Sequence, residues 1–143
     1  MDELVKQANG VWYHKGEKRL ANRDVLQFLY SDAYSNSKSF SRCCLHNDIN
    51  SKLMVMIIAF VEFHAYPAHR HDWKDESYLI IDGSCEYIEY TPSGQIAMTQ
   101  YLTVGDIYYN SGRSFHQLNP CSERLGLIEC TTGPISNQCL EYL

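Results

Sequence analysis

The stretch 53–63 most constrains the fold, because it is apolar on both alternating faces of an extended strand. The two faces would carry Met54, Met56, Ile58 and Phe60, and Leu53, Val55, Ile57 and Val61. A strand that is buried on both sides needs a barrel core on one side and a helix or a second subunit on the other. The sequence therefore predicts a layered β-structure with this strand near its centre.

Downstream, the sequence is a series of short segments typical of strands, separated by turn signals. Proline and glycine within 91–94 predict a hairpin turn, and a second turn is predicted at 119–122. Many short strands at this spacing favour a sandwich or a small barrel of the jelly-roll kind. The predicted strands are 77–81, 85–90, 96–102, 107–109, 115–118 and 125–131.

The N-terminal region has a different pattern. A short strand is predicted at 11–13, and Asn22 can cap a helix that runs to about Tyr34. Apolar side chains recur at helical spacing along this segment, at Val25, Leu26, Leu29 and Ala33. We expect one mostly-β domain, in which a strand and helix extension (1–40) packs on a β-barrel (41–143).

Four residues indicate metal chemistry. His69 and His71 are one residue apart, so on a strand they share a face and can aim two imidazoles at one point. Glu76 opens the following strand and can approach the same point, and His116 lies on a further strand downstream. Three imidazoles and one carboxylate suit one divalent transition metal, namely Fe, Mn, Ni or Zn. Such a set leaves coordination positions open for water or substrate.

The spacing H-x-H-x4-E-x6-G over 69–83 resembles the first of the two motifs of the cupin superfamily. A second motif is matched more loosely. It contains Gly105, Asp106 and His116, but it has no proline near Ser111, and three residues separate Gly112 from His116 instead of two. The resemblance implies a jelly-roll barrel with a metal site.

Further segments are similar to the WbuC-type cupin-fold metalloproteins, which are associated with bacterial O-antigen polysaccharide biosynthesis. These segments are RCCLH at 42–46, PAHRH at 67–71 and ECTTGP at 129–134.

Four other residues are candidates for roles beside the metal. Arg42 and His46 could line the barrel mouth and hold a carboxylate or phosphate, or they could form surface ion pairs. Glu129 sits in an otherwise apolar strand. If it points inward, burial would raise its pKa and it could act as a general acid or base; if it points outward, it has no role. Tyr78 shares the face of Glu76 and is a catalytic candidate or a core residue.

Composition excludes several partners. The 143-residue chain has a net charge of -5 and no basic patch, which argues against nucleic-acid binding. Residues 1–7 do not resemble a signal peptide, and no apolar run approaches the ~20 residues of a membrane span. We therefore expect a cytoplasmic protein. Its six cysteines are expected to be reduced and mostly buried: Cys43, Cys44, Cys85, Cys121, Cys130 and Cys139.

Three functional hypotheses follow. The first is a metal-dependent isomerase, epimerase or dioxygenase that acts on a small molecule, as the resemblance implies a sugar or sugar nucleotide. The second is a non-catalytic metal- or carbohydrate-binding or regulatory module. The third is a thiol-type dioxygenase; because those enzymes use three histidines without a carboxylate, Glu76 counts against it. Because cupins usually form dimers and the strand at 53–63 is apolar on both faces, we predict a homodimer.

Overall fold

The computed structural model describes residues 3–111, 113–135 and 140–143. Within these ranges the chain forms twelve β-strands and one α-helix. In chain order, the elements are β1 (Leu4–Ala8), β2 (Val11–His14), α1 (Arg23–Ser35), β3 (Phe40–Cys44), β4 (Leu53–Val61), β5 (His69–His71), β6 (Glu76–Asp82), β7 (Ser84–Tyr90), β8 (Ile96–Thr103), β9 (Ile107–Asn110), β10 (Phe115–Pro120), β11 (Arg124–Thr132) and β12 (Leu140–Tyr142). In the described residues, α1 is too short and too polar to cross a membrane.

The strands form two sheets. One has seven strands in the order β1-β2-β3-β4-β11-β6-β9, and the other has five in the order β12-β5-β10-β7-β8. Neighbouring strands are antiparallel except β2 and β3, which run parallel. Side chains from both sheets meet in one core, including Met54 and Tyr78 from the first sheet and Tyr87 and Leu102 from the second. The predicted mostly-β jelly-roll class is confirmed.

Apart from Leu53 at its start, which is exposed, strand β4 is buried on both faces as its sequence predicts. Its even-numbered side chains, such as Met54 and Ile58, point into the core between the sheets. Its odd-numbered side chains, such as Ile57 and Val61, pack against α1. The helix therefore supplies the outer cover that the apolar pattern requires, and β4 needs no second subunit for that purpose.

Helix α1 begins where its sequence predicts. The Asn22 side chain accepts hydrogen bonds from the backbone N–H groups of Asp24 and Val25, at 3.1 and 3.2 Å. The inner face of the helix is anchored by Leu29, which is fully buried. At the next position, the Tyr30 hydroxyl donates to the Asp82 carboxylate at 2.9 Å, which ties the helix to the end of β6.

Two parts of the sequence interpretation are corrected. The turn predicted at 119–122 begins later, because Asn119 and Pro120 still pair with β7, and the Asn119 amide donates to Glu86 across the strands at 3.2 Å. Strands β1, β3 and β12 were not predicted. Strand β3 lies between β2 and β4 and completes the sheet beside the helix.

Gly83 joins β6 to β7 with a φ of 73°. A side chain at this position would collide with the Arg124 carbonyl oxygen and the Ser122 hydroxyl. Glycine is therefore required on both conformational and steric grounds. This turn fixes where β6 enters the sheet, and Glu76 lies at the opposite end of that strand.

Candidate metal centre

Three histidines converge between the sheets. His69 and His71 lie on β5 and His116 lies on the adjacent β10, where it pairs directly with His69. Each imidazole offers a nitrogen, and these three atoms lie within 4.8 Å of one another. His71 and His116 are almost completely buried, with 5% and 1% of their surface exposed. The one-residue spacing places two rings on one strand face, and strand pairing adds the third.

The orientation of two of the rings suits metal binding. The Nδ1 atom of His69 lies 2.9 Å from the Pro67 carbonyl oxygen, and the Nδ1 atom of His116 lies 2.9 Å from the Ser114 carbonyl oxygen. Because a carbonyl only accepts, Nδ1 carries the proton in each of these contacts, which leaves Nε2 as the atom that can bind a metal once it gives up any proton it carries. The Nε2 of His116 is buried without an aligned hydrogen bond. Such a donor set fits a divalent transition metal.

Glu76 lies beside this cluster at the start of β6. Its two carboxylate oxygens lie 3.1 Å from His71 Nε2 and 3.0 Å from His116 Nε2. The Tyr78 hydroxyl donates to the same carboxylate at 2.9 Å. Burial alone would raise the pKa of Glu76, but the imidazole contacts and the charge of Lys74 outweigh burial and hold the pKa far below its usual range. The carboxylate is therefore ionised and lies beside two of the three predicted histidine ligands, His71 and His116.

Lys74 is a site residue that the sequence interpretation missed. It precedes β6 in the short connection from β5, yet only 5% of its surface is exposed. Its ammonium nitrogen lies 3.5 Å from a Glu76 carboxylate oxygen. The segment DWKD looks like a solvated polar turn, and the only sequence signal is the position of the lysine two residues before a ligand candidate. A buried lysine beside a buried carboxylate makes Glu76 less available to a cation.

These residues line one cavity of about 230 Å³. Arg42 and Glu129 stand in its wall with Tyr78, so the structure brings together seven of the eight site residues predicted from sequence. The remaining wall is largely apolar and includes Phe40, Ile58, Phe60, Leu118, Leu127, Ile135 and Leu140. The site is thus a mostly apolar pocket with a polar end, which is the usual form of a small-molecule site.

Glu129 points into the cavity. On β11 it pairs with Tyr78 of β6 and Met56 of β4, two residues whose side chains face the interior. Burial and the negative charge of Glu76 raise the pKa of Glu129 to about 7. Near neutral pH this carboxyl group therefore exchanges a proton readily, which a general acid or base requires.

Arg42 and Tyr78 present different chemistry to the cavity. The Nε of Arg42 is buried and has no hydrogen-bond partner, so it can donate to a bound oxygen. Tyr78 is buried, and burial together with the charge of Glu76 raises its pKa well above the ordinary value. The phenol therefore stays protonated and acts as a hydrogen-bond donor.

His46 is not among the residues that line the cavity. It follows β3 and is buried, with its ring edge-on to Tyr13 at a centroid distance of 5.4 Å. Its Nδ1 lies 3.2 Å from the Val55 carbonyl oxygen, and burial lowers its pKa. Arg42 lies within β3 and lines the cavity, whereas His46 follows the last residue of β3 and packs against Tyr13 and Val55 instead.

The cysteines of the described residues are free thiols. Burial raises the pKa of Cys43 to about 11 and that of Cys85 to about 12, so both stay protonated and unreactive. Cys44 is also buried with a raised pKa, and Cys121 is exposed. Cys139, like the motif residue Gly112, lies outside the described residues.

A two-sheet jelly roll with histidines converging from adjacent strands inside it defines a cupin fold with a candidate metal site. Solved structures agree on the fold. KdgF from Halomonas sp. is 15% identical with a TM-score of 0.56, over 70% of this chain and 83% of that one. A cupin-2 domain from Rhodospirillum rubrum is 15% identical with a TM-score of 0.59, over 74% and 66% of the two chains.

The DMSP lyase DddQ from Ruegeria pomeroyi DSS-3 is 17% identical with a TM-score of 0.57. The similarity covers 69% of this chain and 49% of DddQ, so this chain corresponds to about half of that protein. No protein-family model matches the sequence, and no curated protein matches it either. At these identities the comparisons establish the cupin fold of this chain.

Proposed function

We propose that this protein is a metal-dependent cupin enzyme that acts on a small molecule. The observation that carries the proposal is the convergence of three imidazoles, with one another and with Glu76, at the polar end of a cavity. A purely structural metal site would be closed by four protein ligands, whereas a site that faces a cavity has positions left for a substrate. One similar fold, DddQ, is named as a lyase, so the cupin fold accommodates catalysis in at least that protein.

His69, His71 and His116 would hold the metal, and Glu76 would complete the set or balance its charge. The nitrogen-rich donors suit Fe, Mn, Ni or Zn. A bound ion of this kind supplies Lewis-acid polarisation of a substrate oxygen or activates water or dioxygen. The remaining cavity residues then decide which substrate is bound and how its protons move.

Arg42, Glu129 and Tyr78 have complementary roles in this proposal. Arg42 offers an unpaired donor to an anionic or carbonyl oxygen of the substrate. Glu129, with a pKa of about 7, takes or returns a proton at a substrate carbon or hydroxyl. Tyr78 stays protonated, fixes Glu76 by its hydrogen bond and keeps that carboxylate oriented towards the histidines.

The substrate class is taken from the resemblance to WbuC-type proteins, which implies a sugar or sugar nucleotide in O-antigen or other surface polysaccharide biosynthesis. The cavity of about 230 Å³ is smaller than the ~300–1,000 Å³ of sites that enclose drug-sized ligands. A single sugar ring would therefore enter the cavity, and a nucleotide moiety would remain outside. Free thiols in the described residues support a cytoplasmic location for such an enzyme.

Two other functions compete with this proposal. In a non-catalytic metal- or carbohydrate-binding module, the same cavity would bind the ligand and Glu129 would have no chemical task. A three-histidine oxygenase is favoured by one observation, since Glu76 is already engaged by Lys74 and Tyr78 and could stay outside the metal coordination sphere.

The test begins with the metal content of the purified protein and the turnover of a panel of nucleotide sugars by Fe-, Mn-, Ni- and Zn-loaded samples. We expect turnover that disappears after chelation, returns with one metal and is lost in His116→Ala. The value of kcat/KM should depend on a group with a pKa near 7 in the wild type and lose that dependence in Glu129→Gln. Sugar binding without turnover under any metal would instead establish the binding module.

A further inference from the structure

The four sheet edges of the described structure are not protected equally. Natural edge strands avoid pairing with other chains by being short or by carrying charge. Strand β1 carries Lys6, β12 has only three residues and carries Glu141, and β9 has only four residues. Strand β8 has eight residues and no charge. It is therefore the one edge, among those described, that is neither short nor charged, and its pairing with β7 is regular from Met98 to Thr103.

Strand β8 is also exposed on both of its faces. Six of its first seven residues are exposed, and only Leu102 is buried. Ile96 and Tyr101 have 63% and 56% of their surface exposed. Of the fifteen large exposed hydrophobic residues, six lie within 96–109, on β8, on β9 or in the connection between them: Ile96, Met98, Tyr101, Val104, Ile107 and Tyr109.

We propose that β8 pairs antiparallel with β8 of a second copy of this chain, so that two five-stranded sheets become one ten-stranded sheet across a two-fold axis. Such self-pairing is isologous, because the same strand serves both partners. It satisfies the remaining backbone N–H and C=O groups on the open side of β8, since both groups of Thr103 already bond to Asp106, and it brings the apolar side chains of β8 beside those of the partner strand.

Charge selects a second copy as the occupant. The chain has a net charge of -5, so most of its surface repels another copy. No charged residue lies between Glu89 and Asp106, which is the longest uncharged run in the sequence. In the paired arrangement, the glutamates of the two β7 strands would be three strand spacings apart, or about 14 Å. This exceeds the ~8 Å Debye length at physiological ionic strength, so their repulsion is largely screened.

This interface differs from the one that the sequence alone suggests. The outer face of β4 is occupied by α1, which packs against Ile57 and Val61. Strand β8 has no such cover in the described residues, and it contributes none of the residues that line the metal cavity. The dimer proposal is therefore independent of the proposed enzymatic function, and either can fail without the other.

Sedimentation velocity over a concentration series tests the proposal, with Thr99→Lys as the disrupting variant. Thr99 is exposed near the middle of β8, and two lysines near the two-fold axis should weaken the dimer about 100-fold. The matched control is Gln7→Lys, which makes the same charge change at an exposed position on the edge strand β1. Circular dichroism establishes that both variants are folded.

Hydrogen exchange locates the interface. Alternate backbone amides of β8 point away from β7, and we expect them to become protected as the wild-type concentration rises, whereas in Thr99→Lys they should exchange at the same rate at all concentrations. A monomeric wild type at 100 μM or so would overturn the proposal. It would equally be overturned by a dimer that dissociates no more readily in Thr99→Lys than in Gln7→Lys, or whose β8 amides stay unprotected.

Discussion

The two sheets that enclose the cavity contribute different chemistry. The five-stranded sheet supplies the nitrogen donors, His69 and His71 from β5 and His116 from β10. The seven-stranded sheet supplies the ionisable oxygen groups, Glu76 from β6 and Glu129 from β11. The outer faces differ as well, since α1 covers part of the seven-stranded sheet only.

In the proposed function, this division would place the metal-binding histidines on one sheet and the proton-transferring Glu129 on the other. Imidazoles on one sheet could hold an ion without sharing protons with a substrate. Of the two carboxyl groups on the other sheet, Glu76 contacts two of the imidazoles directly and Glu129 lines the same cavity. The helix buttresses β3 and β4, the two strands beyond β11 in the same sheet. We therefore expect changes to the histidines, or to the surroundings of Glu76, to alter metal affinity, and changes at α1 or Glu129 to alter stability and its pH dependence.

The largest effect is expected from His116→Ala on the five-stranded sheet. Losing one of three nitrogen ligands should weaken Co²⁺ or Zn²⁺ binding by about 1,000-fold, which exceeds the ~10–100-fold typical for changes to residues that only support a ligand. Titration of the metal-free protein followed by visible absorption of Co²⁺ measures this. His64→Ala, outside the cavity, should bind the metal normally, and retention of full affinity by His116→Ala would refute the metal site.

Leu29→Ala tests how much the packing of α1 on the seven-stranded sheet contributes to stability. Leu29 is fully buried between α1 and the sheet, so its truncation should lower the free energy of unfolding by about 3 kcal/mol. Leu20→Ala is the control, because Leu20 is 68% exposed and its loss should cost no more than about 0.5 kcal/mol. Urea denaturation gives both values. Metal affinity should be unchanged in both variants, and a change in Leu29→Ala would show that the two sheets are coupled.

Glu129→Gln should remove a pH dependence of stability in the metal-free protein. The pKa of Glu129 is raised from about 4.5 to about 7, so the folded state binds more protons than the unfolded state between these values. The wild type should therefore lose stability as pH rises from about 4.5 to about 7, by about 3 kcal/mol from this group. The difference between variant and wild type should grow over this window. A constant difference would show that the pKa of Glu129 is not raised in the folded protein.

The smallest effect is expected from Lys74→Met. Removing the ammonium beside Glu76 frees the carboxylate and removes repulsion of a divalent cation, so metal should bind about tenfold more tightly. Lys74→Arg keeps the charge and should resemble the wild type, and exposed Lys52→Met controls for the change in net charge. Unchanged affinity in Lys74→Met would mean that Glu76 takes no part in metal binding.

Local patterns in the sequence predicted much of the fold. Strand alternation identified β4 and most strands after it, and the Asn22 cap located α1. The two histidines on β5 were visible because strand periodicity alone puts them on one face. Strand β3 was missed because it is short and its pairing depends on distant strands.

The remaining site features depend on tertiary structure. The direction of Glu129 is set by the register of β11 with β6, which no local pattern specifies. Lys74 lies in a connection whose composition resembles a solvated turn, and its burial results from the closing of the barrel around it. His46 was predicted to lie near the site because it is close to Arg42 in sequence, but the folded chain does not bring it into the same cavity.

Tyr78 and Leu127 belong both to the core cluster and to the lining of the cavity. A substitution of Tyr78 or Leu127 would therefore change folding and ligand binding together, so natural selection cannot adjust one of these properties without the other. Other residues of the same lining are only half-buried, namely Arg42, Ile135 and Leu140. New ligand preferences in related proteins should accordingly arise from substitutions at these three positions, while Tyr78 and Leu127 stay unchanged.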